Sequence, residues 1–274
     1  SFWMSEHGRH SLRRVHPERL LGPIVLDDDE QREVSRAKAL LAARELLRDA
    51  GSKRVAFVLS PQSSCEQLYA TFDFAKKWAE QGTQPSFFMA GQPETAFCLR
   101  VDPENLGEQA KCPIDKKVSD DFLICADKNP NRAGLLALAQ HFGVELQPAE
   151  ALLDAIDGLD LLCVFGADLP FDEAQLDRLD EGLAETKLLY LGSHQGLLAD
   201  MADVALPVCT HVEESGSFIN VQGLRQHYEA AFEPHGLSQS YHQWLGSIAK
   251  KLGLRGALEE PAALRAATDK ALKA

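Results

Sequence analysis

Val55-Ala56-Phe57-Val58-Leu59 is a run of apolar residues with no polar interruption, and the architecture of the chain is read outward from it. A strand with one wet face alternates apolar and polar residues. A short continuous run reads instead as a strand covered on both faces, as in a parallel sheet between helices. Ser60-Pro61 ends the run, since proline has no N–H to give a sheet interior. Beyond it, Ser63 to Gln81 is predicted as a helix, closed by Gly82. Before it, Leu40, Leu41, Ala43, Leu46 and Leu47 recur at helical spacing, and Ala50-Gly51-Ser52 ends that helix. Asp27-Asp28-Asp29-Glu30 is read as its acidic first turn, where the positive end of the helix dipole favours carboxylates.

The same alternation continues along the chain. Strands are predicted at Pro85 to Met89, Phe122 to Ala126, Val144 to Leu146, Leu161 to Phe165, Lys187 to Leu191 and before Pro207. Helices are predicted at Arg132 to Phe142, Glu150 to Ile156 and Asp172 to Ala184, with two more over 238–252 and 260–272. Residues 91–120, with Pro93, Pro103, Gly107 and Pro113, carry no regular pattern and read as an insert. The fold class expected is α/β, with a doubly wound, mainly parallel, Rossmann-like sheet, an N-terminal arm and C-terminal helices. Three parts are expected: arm and helix over 1–50, an α/β core over 51–235 and a helical tail over 236–274.

A net charge of −13 repels phosphate backbones and anionic lipid, which argues against nucleic-acid partners and direct membrane docking. No run of about 18 apolar residues is present to span a bilayer. Ser1-Phe2-Trp3-Met4 does not read as a signal peptide, and the chain does not open on methionine, which leaves room for an upstream region. Cys65, Cys98, Cys112, Cys125, Cys163 and Cys209 show no C-x-x-C spacing, so reduced thiols are expected. Cys125 and Cys163 sit in apolar runs and are expected in the core.

Ligands of open α/β sheets bind beyond the carboxyl ends of strands. The segments there are Ser60 to Ser64, Asp127 to Arg132, Gly166-Ala167-Asp168 and Gly192 to Gly196. Ser63, Asp127, Asn131, Ser193 and His194 are their candidate binding residues. Capping of helices and turns is the competing reading for Ser63, Asn129 and Ser193. His194 is placed as a general base would be, or as an ordinary loop histidine. No G-x-G-x-x-G, Walker loop or G-x-S-x-G elbow occurs. His10 and His16 have no metal-like partners and read as surface residues or partner contacts.

Ala202-Asp203-Val204-Ala205-Leu206-Pro207 is followed by Thr210, Glu213, Gly216, Phe218, Asn220, Gly223 and Gln226. This spacing resembles the A-D-V-x-L-P…T-x-x-E-x-x-G-x-x-x-N-x-x-G-R-x-Q stretch of the molybdopterin oxidoreductase superfamily. One departure is that Gly223 is followed by Leu224, with Arg225 one place later. Trp3 to Arg9, with Arg19-Leu20 and Pro23, is similar to W-x-C-D-x-G-R…R-L-x-x-P in the G subunit of respiratory NADH dehydrogenases. There Ser5 stands where a cysteine is common, and a hydroxyl is a poor iron ligand. Asp127-Lys128-Asn129-Pro130-Asn131-Arg132 and Gly134 are similar to a D-x-x-P-N-x-x-G turn of the same proteins.

From the residues alone, Thr210, Glu213 and Asn220 are expected to hold a loop, with tight turns at Gly216 and Gly223. The resemblance adds these three to the candidate cofactor-binding set, as vestiges. It implies a pterin-domain remnant with an architectural role, bound to other subunits of an electron-transfer complex. Residues 1–25 would dock on an iron–sulfur region. The residues after Gln226 are too few for the β-rich domain that closes over a second pterin, so no cofactor is expected here. Iron–sulfur clusters are expected upstream or in a partner. The location implied is cytoplasmic, peripheral to the inner membrane through partners. The rival readings are a molybdopterin-binding oxidoreductase subunit, a nucleotide-binding module and a pterin carrier.

Overall fold

The computed structural model describes residues 18–28, 30–51, 54–91, 127–166, 169–256 and 260–273. Among the described residues eight strands form one sheet. In chain order they are β1 (Ile24–Asp27), β2 (Glu30–Glu33), β3 (Val55–Leu59), β4 (Ser86–Met89), β5 (Leu146–Pro148), β6 (Leu161–Phe165), β7 (Lys187–Gly192) and β8 (Val204–Pro207). Their spatial order is β2-β1-β8-β7-β6-β3-β4-β5. From β8 to β5 every pair is parallel, with Phe57 opposite Cys163 and Cys163 opposite Leu189. Strand β1 is the reversed one, antiparallel to both of its neighbours, β2 and β8. The mainly parallel α/β sheet expected from the sequence is the one observed.

The uninterrupted apolar run at β3 has a direct cause. Val55, Phe57 and Leu59 point into one core layer, and Ala56 and Val58 into the other. The first layer lies under α1 (Arg36–Ala50), α2 (Cys65–Ala79), α3 (Arg132–Phe142), α7 (Tyr241–Leu252) and α8 (Pro261–Ala271). The second lies under α4 (Ala151–Ala155), a 3₁₀ turn at Ile156–Gly158, α5 (Glu173–Leu183) and α6 (Leu197–Met201). Cys163 is buried in the first layer as expected. Cys125 and the strand expected at Phe122 to Ala126 lie outside the described residues, as does the insert from residue 92.

Two expectations are corrected. The first long helix begins at Arg36, capped by Ser35, and not at Asp27. Ile24-Val25-Leu26 is a β-prone run that finds a partner in β8. Asp28 takes a left-handed turn (φ 51°), which aspartate tolerates, so the acidic residues mark a hairpin. Secondly, residues 18–27 of the expected arm are largely packed on the chain itself, with Leu21 and Leu26 left exposed. Arg19, Leu20 and Val25 are buried against the chain's own sheet and loops. Residues 1–17 lie outside the described residues.

Two further strands, β9 (Gly216–Ile219) and β10 (Arg225–Tyr228), form a separate hairpin. It occupies the segment read from sequence as a plain loop. Its strands are short and mixed in polarity, which hides them from a periodicity test. Gly223 makes the expected turn with φ 78°. Gly216 serves a different purpose, since a Cβ there would press on the Tyr228 hydroxyl and Ser64 Cβ.

Candidate functional site

The chain reverses direction between β3 and β6. From β3 it builds outward through β4 and β5, then returns to the other flank of β3 for β6, β7 and β8. Ligand crevices in such sheets open at this switch point, beyond the carboxyl ends. Among the described residues Tyr241 takes up space in this crevice on the β6 side. Gly166, directly after β6, has φ 54°, and a Cβ there would overlap the Tyr241 hydroxyl. Tyr241, the first residue of α7, is 3% exposed. Its ring packs on Phe165 with centroids 5.9 Å apart, and its hydroxyl lies near the Ser63 side chain. Burial pushes the phenol well above its ordinary pKa, so it stays a neutral hydrogen-bonding group.

The candidate residues around this point are largely engaged with one another. Asn131 is fully buried. Its backbone N–H donates to Pro61 O at 3.0 Å, and its side-chain amide donates to Ser63 O at 2.8 Å. Its Oδ1 accepts from the Ile219 N–H at 2.8 Å and from Cys65 Sγ at 3.4 Å. One side chain thus ties the loops after β3 and before α3 to the hairpin. The cap of α2 is Ser64, in a reciprocal capping box with Gln67, and not Ser63. Asp127 accepts from the Asn129 N–H and side-chain amide at 3.0 and 2.7 Å, and lies 3.1 Å from Arg132 Nε.

A second group gathers beyond β7 and β8. Ser193 O accepts from Leu20 N–H at 3.1 Å and from Arg19 Nε at 2.9 Å, while Ser193 Oγ lies 2.8 Å from His194 Nδ1. Arg19 forms a two-pronged ion pair with Glu213, at 3.1 and 2.8 Å. Their side chains are 3% and 2% exposed. Glu213 also accepts from the Thr210 N–H at 2.8 Å, the Thr210 hydroxyl at 2.9 Å and the His235 N–H at 3.0 Å. Burial alone would raise this carboxyl's pKa, but the Arg19 and backbone bonds overcome it and hold the pKa below the usual range. Asn220 does not join this group. Its Oδ1 accepts from the N–H groups of Gln222 and Leu224 within its own hairpin turn.

Sequence reading missed the groups that complete these networks. Glu66, buried in the first turn of α2, accepts from Ser217 N–H and Oγ at 2.7 and 2.8 Å and from Arg225 at 3.1 Å. Arg225 also reaches Asp269 of α8 at 2.6 Å. The displaced arginine of the family motif is thus a clamp between α2, the hairpin and α8. Arg19 was visible in the R-L-x-x-P resemblance, although nothing there announced Glu213 as its partner. Tyr241 had only its place at the start of a helix.

Beside the crevice a cavity of about 680 Å³ remains, between the start of α2, the loop at 209–216, the end of β10 and α8. Glu66, Glu213, Glu214, Glu229 and Asp269 face it. Burial, with the Glu66 and Glu213 carboxylates adding to it, drives the pKa of Glu214 well upward. Burial lowers that of His242 to about 4, so its imidazole is neutral at physiological pH. Burial also lifts the Cys209 thiol to about 12 and the Cys65 thiol upward, and neither is a ready nucleophile. Among the described residues no group of three or more His, Cys, Asp or Glu is arranged to hold a metal.

Residues 145–251 match the molybdopterin oxidoreductase family. The match takes in β5 to β10 and most of α7, including Thr210, Glu213, Asn220 and the Tyr241 in the crevice. The resemblance read from Ala202 to Gln226 is therefore supported over a longer stretch. Curated relatives agree. The chain is 33% identical over 85 residues to the G subunit of NADH-quinone oxidoreductase from Rickettsia conorii, which is 31% of this chain and 11% of that protein. It is 27% identical over 166 residues to the corresponding protein of Shewanella oneidensis, 58% of this chain and 17% of that one. The chain thus spans only a small part of the curated relatives it matches. No helix among the described residues is long and apolar enough to cross a membrane.

The pterin cofactor of molybdopterin oxidoreductases carries phosphate, and the side chains here are a poor match for it. The crevice holds Tyr241, and the neighbouring cavity is walled by carboxylates that repel an anion. No catalytic step is therefore derived through that group.

Proposed function

We propose that this chain is an architectural, pterin-domain-like part of an NADH dehydrogenase G subunit, without a redox centre of its own. The observation that carries this reading is the Tyr241 side chain in the switch-point crevice. A binding site needs polar groups left open to its ligand. Here Ser63 O is taken by the Asn131 amide, Asn131 spans three segments, and the Glu213 oxygens accept from Arg19, Thr210 and His235. In this reading Ser63, Asp127, Asn131, Ser193, His194, Thr210, Glu213 and Asn220 are vestiges of a cofactor site that now hold loops together. The three-part division at residues 50 and 235 belongs to the same proposal, with β1 and β2 lent to the core sheet.

The partners in this reading are cluster-bearing subunits of an NADH dehydrogenase, which place the chain in the cytoplasm at the inner membrane. Leu21 and Leu237 fit such contacts: both are nearly half exposed, and they are joined by a 2.7 Å backbone hydrogen bond. The test is metal analysis with native mass spectrometry, on protein produced in a host that makes molybdenum cofactor. A bare polypeptide mass without molybdenum or tungsten is expected. Stoichiometric metal with a pterin mass would overturn the proposal and make this a catalytic subunit.

A further inference from the structure

The cavity beside α8 has a composition that the scaffold role does not require. Its volume of about 680 Å³ falls in the range of small-molecule sites. Pro234, Pro261, Ala262 and Leu264 give it an apolar side. The other side is acidic, and its charges are not equally matched. Arg225 bridges Glu66 and Asp269, Arg265 meets Glu229, and Arg19 meets Glu213. Glu214 has no cation among the described residues. Its side-chain partner is the Gln67 amide, and the nearby His242 is neutral. A space with one apolar wall and one unmatched carboxylate suits a ligand with an alkyl stem and a positive head.

We propose that this cavity binds an organic cation, an alkylammonium group on a short aliphatic stem, with Glu214 as its counter-ion. The proposal does not depend on the scaffold reading, since a cation here is compatible with a cofactor-free or a cofactor-bearing chain. In the empty cavity burial and the Glu66 and Glu213 charges disfavour a further anion and push the Glu214 pKa upward. An arriving ammonium reverses that balance. The carboxyl loses its proton to solvent, and the ammonium–carboxylate pair forms with no other bond made or broken. Binding is thus expected to draw protons off Glu214, so that ligand uptake is linked to proton release.

The ammonium could belong to a free amine or to a lysine side chain, and titration calorimetry of the whole chain separates them. The probes are 1,4-diaminobutane, Nα-acetyl-lysine amide and the neutral isostere 1,4-butanediol, each in two buffers of different ionisation enthalpy. Saturable one-to-one binding of a charged probe with proton release is expected, and none of the diol. The preferred probe names the source. Glu214→Gln keeps an acceptor for Gln67 and should weaken binding roughly tenfold or more. Ala266→Trp, on the exposed face of α8 that lines the cavity, should block binding without touching the core. Glu181→Gln, an exposed carboxylate on α5, should change nothing. Equal binding by the Glu214→Gln and Glu181→Gln proteins, or no saturable binding of either amine, would overturn the proposal.

Discussion

Glu213 and Glu214 are adjacent in sequence and belong to opposite kinds of site. Glu213 is buried with a full set of donors: Arg19, the Thr210 N–H and hydroxyl, and the His235 N–H. Its pKa falls below the usual range in spite of burial. Glu214 turns the other way, toward a cavity, with an amide for company and two carboxylates for neighbours. Its pKa rises. Glu213 is buried and Glu214 partly so, and the larger difference lies in their partners. A buried charge with matched donors locks a loop, whereas one without them is a cost that a ligand can relieve.

The largest expected effect comes from breaking the lock. Arg19→Ala would leave Glu213 buried without its cation, at a cost of about 3–5 kcal/mol in urea unfolding. Replacing both partners with methionine should recover only part of that loss, because no uncompensated charge remains but the Thr210 and His235 donors lose their acceptor. If Arg19→Ala costs under about 1 kcal/mol, the pair does not hold the N-terminal segment to the loops. Asn131→Ala comes next. It strands the Ile219 N–H and the Ser63 carbonyl in a buried place, and a loss of about 2–3 kcal/mol is expected in the same measurement.

These networks also mark how far the sequence could be read. The strands of the parallel sheet announced themselves because both their faces are dry, so Val55 to Leu59 and Leu161 to Phe165 are apolar throughout. Helix α5 announced itself through its Asp172 cap. The β9–β10 hairpin did not, since it packs through single contacts such as Glu66 to Ser217 and leaves residues such as Gln226 exposed. At the site, the motif residues were legible but their partners were not. Thr210 and Glu213 are three apart and local. Arg19 with Glu213, Glu66 with Arg225 and Tyr241 with Ser63 are joined only by the folded chain. A pairing across that much sequence leaves no periodic trace.

The cavity side of the comparison is sharpened by Glu214→Gln. A folded pKa raised above the unfolded one, about 4.3, gives stability that is complete below that value. It is lost as pH rises through the folded pKa. At neutral pH the wild-type carboxyl is therefore a burden that the amide lacks. Glu214→Gln should raise Tm by about 3 °C at pH 7, with the difference shrinking toward pH 4. A lower Tm at pH 7 would mean that the Glu214 carboxyl is an asset and the contrast with Glu213 is false.

The smallest effect is expected from His242, on the same cavity, and it has the opposite pH slope. Burial lowers its pKa to about 4, while in the unfolded chain it titrates near 6.5. Between those values the unfolded state binds the extra proton, so stability is full above about pH 6.5 and falls as pH drops toward 4. The side chain is only partly buried, so the loss is discounted for solvent screening to about 1 kcal/mol. His242→Gln should remove that slope, and urea midpoints at intervals from pH 4 to 7 would show it as a difference curve that flattens above pH 6.5. Glu214 works against this slope over part of the same range, because acid neutralises its burden while charging His242. The wild-type profile also carries the acid-side loss from Glu213, so only the two difference curves, one rising and one falling, can separate the contributions. If both curves are flat, neither group is buried enough in solution to titrate abnormally, and the cavity is open to water.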